Sequence, residues 1–133
     1  MEVHKLPITF KGSVITGSGR GKTQTVPTIN IDLRHVPDVN TGVYAALVEY
    51  RDATHFAAMH IGKRPTFNDN KSCEIHILDH VIDKAPDELQ ITVVKYIRPI
   101  KKFTDAAHLK ITIKDDIQKI RAILSEHEIN QKS

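Results

Sequence analysis

Gly17-Ser-Gly-Arg-Gly-Lys-Thr-Gln-Thr-Val-Pro-Thr-Ile-Asn30 supports two incompatible structures, and choosing between them sets the class of the whole chain. Three glycines with Arg20 and Lys22 inside Gly17–Lys22 suit a loop whose backbone N–H groups approach an anion with no Cβ in the way. A phosphate cradle is the first expectation. Read as a P-loop, Gly17–Thr23 would open a helix, but that pattern needs four residues between its glycines, and Thr16 stands where the first should be. Pro27 then leads into Ile29-Asn30-Ile31-Asp32-Leu33, which alternates apolar and polar at the period of a strand. The segment is therefore a loop entering a β-strand. Composition alone leaves a hairpin tip with solvated charges equally open.

Strand signals continue on both sides. Leu6–Ile15 alternates well enough for a first strand, with Phe10, Ser13 and Ile15 near the glycine loop, and Pro27–Leu33 is the second. After the turn-rich Arg34–Thr41, Gly42–Tyr50 is apolar and β-branched with little charge, which predicts a buried central strand. Arg51–Thr54 predicts a hairpin turn into a fourth strand, Phe56–Gly62, and Lys63–Ser72 is a polar loop. Glu74–His80 and Leu89–Arg98 are the fifth and sixth strands.

The period then changes. Leu109, Ile113, Ile117, Ile120 and Leu124 recur at spacings of four, four, three and four, one apolar helical stripe, with Thr104 or Asp105 as N-cap. Residues 125–133 read as a frayed tail. Six short strands and a closing helix predict a mainly β domain, an antiparallel barrel whose closure removes exposed edges.

A length of 133 residues predicts a single domain, 1–133, that buries about two thirds of its unfolded surface. The formal charge of +3 is scattered along the chain, and aromatics make up 5% with no Trp. That suits an anionic small molecule better than nucleic acid, which asks for a basic stripe and stacking rings. The single cysteine, Cys73, fits a reducing compartment. No apolar run approaches membrane-spanning length, so the expectation is a soluble cytoplasmic protein with no membrane partner, acting as a monomer.

Three groups of residues invite chemistry. Thr28 and Asn30 are two apart on an extended segment, so both oxygens face one side, where a hard cation could share them. On spacing alone a pair ending a turn is the favoured reading. Glu74 stands on an otherwise apolar strand with His76 on its face and Ile75 and Ile77 on the other; it reads as a base with its pKa raised by apolar surroundings, or as a plain solvated carboxylate. Cys73, His76 and His80 have a zinc-like spacing. On a strand, however, the two histidines would lie about 13 Å apart and Cys73 would face away from His76.

In order along the chain stand Gly-x-Gly-Arg-Gly from Gly17, Pro27-Thr28-x-Asn30, Gly42-Val43-Tyr44, and Ile61-Gly62-x-Arg64-Pro65-Thr66-Phe67. Glu74-x-His76-Ile77-x-Asp79 and Arg98-Pro99-x-Lys101-x-Phe103 follow. Six motifs spread over residues 10–124 resemble the riboflavin kinases, the ATP-dependent enzymes that also form the C-terminal module of bacterial FAD synthetases. The resemblance implies a Greek-key barrel that transfers the γ-phosphoryl group of ATP to riboflavin with Mg²⁺. It further implies Thr28 and Asn30 as metal ligands, Glu74 as the base at the ribityl 5′-hydroxyl, and Arg98 and Lys101 at the flavin or its new phosphate. Gly17, Gly19, Arg20, Gly21, Lys22, Ile77 and Asp79 would then surround the ATP.

The chain departs from that family at three places. Thr25-Val26 precedes Pro27 where the family has Gly-Phe or Gly-Ile, His60 stands in place of Asn, and Ile82–Glu88 lacks a Tyr expected near the nucleotide. Losing an aromatic contact costs about 1 kcal/mol, which keeps open a flavin- or nucleotide-binding regulator with weak or no catalysis. Basic charge and short strands suggest a second, weaker rival, an oligonucleotide-binding barrel.

Overall fold

Each strand here buries one face inside a curled sheet, and part of the other lies under a helix. The computed structural model describes residues 5–15, 28–63, 71–78, 86–103 and 105–132. The elements are β1 (Ile8–Ser13), β2 (Thr28–Ile31), β3 (Gly42–Tyr50), β4 (Ala53–Lys63), β5 (Lys71–Ile77), β6 (Glu88–Arg98) and α1 (Ala106–Lys132), with a short 3₁₀ turn at Leu33–His35. All pairings are antiparallel, in the order β1-β6-β3-β4-β5-β2. Three consecutive hairpin-linked strands with a fourth returning beside the first make the Greek key that was expected.

The sheet curls until its two edge strands approach. Val14 bridges Ile31, Ile15 N–H donates to the Asn30 carbonyl at 2.9 Å, and Asp32 N–H donates to the Ser13 carbonyl at 2.8 Å. Main-chain bonds thus join the two edges at one end of the barrel.

Inside lie Ile29, Ile31, Tyr44, Ala46, Val48, Ala57, Met59, Ile61, Ile75, Leu89, Ile91 and Val93, all buried. The outer face of β3 and β4 is apolar too, with Ala45 paired to Ala58 and flanked by Leu47 and Phe56 beneath Ile120 and Leu124. That double burial explains why Gly42–Tyr50 reads as one apolar run, and its boundaries fall where the sequence put them. The hairpin after it is tighter than expected. Arg51 and Asp52 take positive φ of 51° and 63°, a two-residue turn, so β4 already starts at Ala53. β5 likewise runs Lys71–Ile77, earlier than the expected Glu74–His80, because pairing with β4 continues back to Lys63↔Lys71.

The helix departs from its expected stripe in its first half. Ile120 and Leu124 are fully buried, roughly 1.5–3 kcal/mol each. Leu109 and Ile113, in contrast, stay 39% and 41% exposed. The buried line runs back from Leu124 and Ile120 to Asp116, which is 7% exposed, because that carboxylate meets Arg98 at the end of β6. Asp105 is the N-cap, its Oδ1 accepting from His108 N–H at 2.7 Å; Thr104 lies outside the described residues. Through the segment read as a frayed tail α1 continues to Lys132, with neither Gly nor Pro to stop it.

Candidate functional site

Strand pairing brings together residues far apart in sequence. Thr28 stands opposite His76, and Asn30 opposite Glu74, between β2 and β5. Across the next ladder Glu74 stands opposite His60, His60 opposite Val43, and Val43 opposite Arg98. Directly paired residues share a face, so Asn30, Glu74, His60, Val43 and Arg98 form one line across five strands on the outer side of the barrel. Ile29, Cys73, Ile75 and Met59 alternate with them and point inward.

Glu74 does not sit in apolar surroundings. Its side chain is 37% exposed and flanked by Asn30, His60 and His76, with the His76 Nε2 at 3.8 Å from Oε1. His76 turns its other nitrogen to β2, where Nδ1 lies 3.3 Å from Thr28 Oγ1. Burial pushes the His76 imidazole below its ordinary pKa, the Glu74 carboxylate opposes that, and His60 adds to the fall. His60 Nδ1 is buried and has no hydrogen-bond partner among the described residues.

Thr28 and Asn30 share a face on β2, as their spacing predicts, beside the one carboxylate of the row. Two neutral oxygens near a carboxylate fit a hard cation of the magnesium class, which takes few protein ligands and keeps waters or phosphate oxygens for the rest. They do not fit zinc. Cys73 is 2% exposed inside the barrel, on the opposite face from His76, and burial pushes its thiol up to about 12, with the charge of Glu74 adding to the rise.

Two expected contacts take a different form. The Ile77 side chain is 3% exposed in the core, so only its main chain could face a nucleotide. Arg98 is committed to the helix: Nε donates to Asp116 Oδ1 at 2.9 Å, Nη2 to Oδ2 at 2.8 Å, and Nη1 to the Pro99 carbonyl at 3.0 Å. Lys101 is exposed in the segment leading to α1. Gly17, Gly19, Arg20, Gly21, Lys22 and Asp79 lie outside the described residues. Sequence reasoning missed Asp116, although an acid four residues before Ile120 on an apolar line signals a buried partner. It also gave no role to His76, whose pairing with Thr28 depends on the β2–β5 register.

Comparison with known proteins agrees with this arrangement. The family model described as "Flavokinase: Riboflavin kinase" matches residues 4–124. The bifunctional riboflavin kinase/FMN adenylyltransferase of Listeria monocytogenes is 34% identical over 127 residues, covering 92% of this chain and 40% of that protein. The chain thus spans about two fifths of that relative. The human riboflavin kinase is 33% identical over 132 residues, covering 92% of this chain and 85% of that protein. The crystal structure of riboflavin kinase from Trypanosoma brucei has the same fold, with a TM-score of 0.64 at 24% identity over 94% of this chain and 84% of that one. With a family model spanning nearly its whole length and the Thr-x-Asn and Glu-x-His pairs facing each other across β2 and β5, this chain belongs to the riboflavin kinase family.

Proposed function

We propose that this chain transfers the γ-phosphoryl group of MgATP to the ribityl 5′-hydroxyl of riboflavin, giving FMN and ADP. The observation that carries the reading is the outer row, in which Glu74 lies between Asn30 and His60 with Thr28 one step along β2. In this reading Glu74 accepts the 5′-hydroxyl proton as that oxygen bonds to the γ-phosphorus, and the bond from phosphorus to the bridging oxygen of ADP breaks. Thr28 and Asn30 would hold the divalent cation. When bound with the nucleotide, such an ion neutralises charge on the β- and γ-phosphate oxygens. What the protein adds in this reading is mainly orientation and preorganised polar groups. Gly17, Gly19, Arg20, Gly21, Lys22, Asp79 and the main chain of Ile77 are proposed for the nucleotide.

Arg98 belongs to the flavin end in this reading. Three strand spacings separate it from Glu74 along the row, roughly 14 Å at about 4.8 Å per step. A new phosphate beside Glu74 is out of its reach, whereas an elongated substrate with its alcohol at Glu74 and its rings toward Arg98, Lys101 and α1 spans that distance. The pair with Asp116 would keep the guanidinium in place.

The chain's departures support a second reading, in which it binds flavin and nucleotide with little turnover. His60 lies directly beside Glu74 where the family has Asn, and Ile82–Glu88 has no Tyr. Incubation with riboflavin and MgATP, with FMN and ADP separated chromatographically, distinguishes the two. Stoichiometric FMN and ADP over many turnovers are expected, and tight binding of both substrates without FMN would favour the second.

A further inference from the structure

We propose that His76 is a positioning residue that sets the candidate metal ligand Thr28 and the candidate base Glu74 with one imidazole. This rests on the phosphoryl-transfer reading and adds to it a residue that touches neither substrate nor metal.

The ring stands between the two groups. Its Nδ1 is 3.3 Å from Thr28 Oγ1 on the neighbouring strand, and its Nε2 is 3.8 Å from Glu74 Oε1 on its own strand. Among the described residues it is the side-chain hydrogen bond that joins β2 to β5 on the outer face, while Ile29 and Ile75 pack against each other on the inner one. β2 is only four residues long and is the last strand in the sheet order, so a side-chain tie at its first residue orients Thr28 where ladder support is thinnest.

The chemistry also selects a tautomer. A neutral imidazole has one N–H and one lone pair. Placing the N–H on Nε2 points a donor at the carboxylate; the alternative sets a bare lone pair against a charged oxygen. Nδ1 is then the acceptor, and Thr28 must donate its hydroxyl hydrogen to it. A threonine hydroxyl has one hydrogen and two lone pairs. Spending the hydrogen on Nδ1 leaves both lone pairs free for a cation. The other tautomer would consume one of them.

Three variants separate this role from plain packing. His76→Asn keeps a polar atom near the place of Nδ1, His76→Gln keeps one near the place of Nε2, and His76→Ala removes both. ADP binding is measured by calorimetry with and without Mg²⁺, alongside melting temperature and kcat at saturating substrates. Outer partners of metal ligands typically carry 10–100-fold in affinity or activity. His76→Ala is therefore expected to weaken MgADP by about that factor while leaving metal-free ADP unchanged. His76→Asn is expected to restore MgADP affinity without restoring kcat, and His76→Gln to restore kcat more than affinity. Variants that bind MgADP and turn over like an active parent, or that lose only melting temperature, overturn the role of His76 and leave the kinase reading intact. A parent that neither binds MgADP nor makes FMN overturns both.

Discussion

Arg98 and Asp116 join the end of β6 to the middle of α1 through a forked ion pair, with side chains 15% and 9% exposed. Taking two charges this far out of water offsets most of their attraction, so the pair fixes the position of the helix more than it adds net stability. Removing one partner is a different matter. Asp116→Ala leaves the guanidinium facing a buried gap and is expected to cost about 3 kcal/mol, read as a lower urea midpoint at unchanged slope. The double variant Arg98→Met/Asp116→Leu should recover much of that loss. A single variant as stable as the parent would show that the pair carries nothing.

Gly42 begins β3 with φ at 150°, and a Cβ there would run into the Tyr96 ring and lie 2.8 Å from the Arg98 carbonyl oxygen. Gly42→Ala must therefore displace the β6 backbone that carries Arg98, at a cost of about 1–3 kcal/mol for overpacking. Gly62→Ala is the contrast. Its Cβ would come no closer than 3.3 Å, and to the His60 ring, a side chain that can shift. Thermal unfolding of the two variants should rank Gly42→Ala well below Gly62→Ala, and a reversed order would contradict the clash.

The barrel was legible because its signals are local. Period-two alternation, the turn at Arg51-Asp52 and the apolar run Gly42–Tyr50 each declare a strand within a few residues. The helix was legible as a helix but not in its rotation. Leu109 and Ile113 fit a 3.6-residue period, yet the side facing the sheet is set by a partner eighteen residues away, Arg98, which pulls Asp116 inward. The candidate site follows the same division. That Thr28 and Asn30 share a face follows from their spacing. That they stand opposite His76 and Glu74 is a matter of register between strands more than forty residues apart, and no local pattern encodes it.

Cys73 gives a clean reporter of unfolding. Its side chain is 2% exposed inside the barrel, and burial pushes its thiol up to about 12, so at pH 8 almost none is thiolate in the folded state. Alkylation by iodoacetamide at pH 8 should be negligible for the native protein and complete in urea, with a rate that follows global opening. Rapid labelling without denaturant would mean that the β4–β5 ladder opens locally.

Thr28→Ala and Asn30→Ala each remove an oxygen from the outer face while leaving Ile29 and Ile31 in the core, so the barrel should melt near the parent temperature. Both are expected to weaken MgADP binding about tenfold or more, in the range for a ligand or its close support, with little change for ADP in EDTA. Calorimetry at several Mg²⁺ concentrations checks this. Equal MgADP affinity in both variants and the parent would remove the metal assignment.

Glu74→Gln keeps the shape and the hydrogen-bonding capacity of the side chain but removes the site that takes up a proton. The position is partly exposed on the outer face, with Asn30 and His60 opposite it and His76 Nε2 3.8 Å away, so folding should tolerate the change. If the carboxylate is the base for the ribityl hydroxyl, kcat falls by about 10²–10⁴, the span for losing general base catalysis, while riboflavin and MgADP still bind. The split matters, since a surface carboxylate with only a structural role would change melting temperature before turnover. Single-turnover FMN formation in a quenched-flow experiment isolates the chemical step from product release. A Glu74→Gln rate at or near that of the parent would sink the assignment. A rate lowered only in proportion to riboflavin affinity would make Glu74 a binding residue instead of the base.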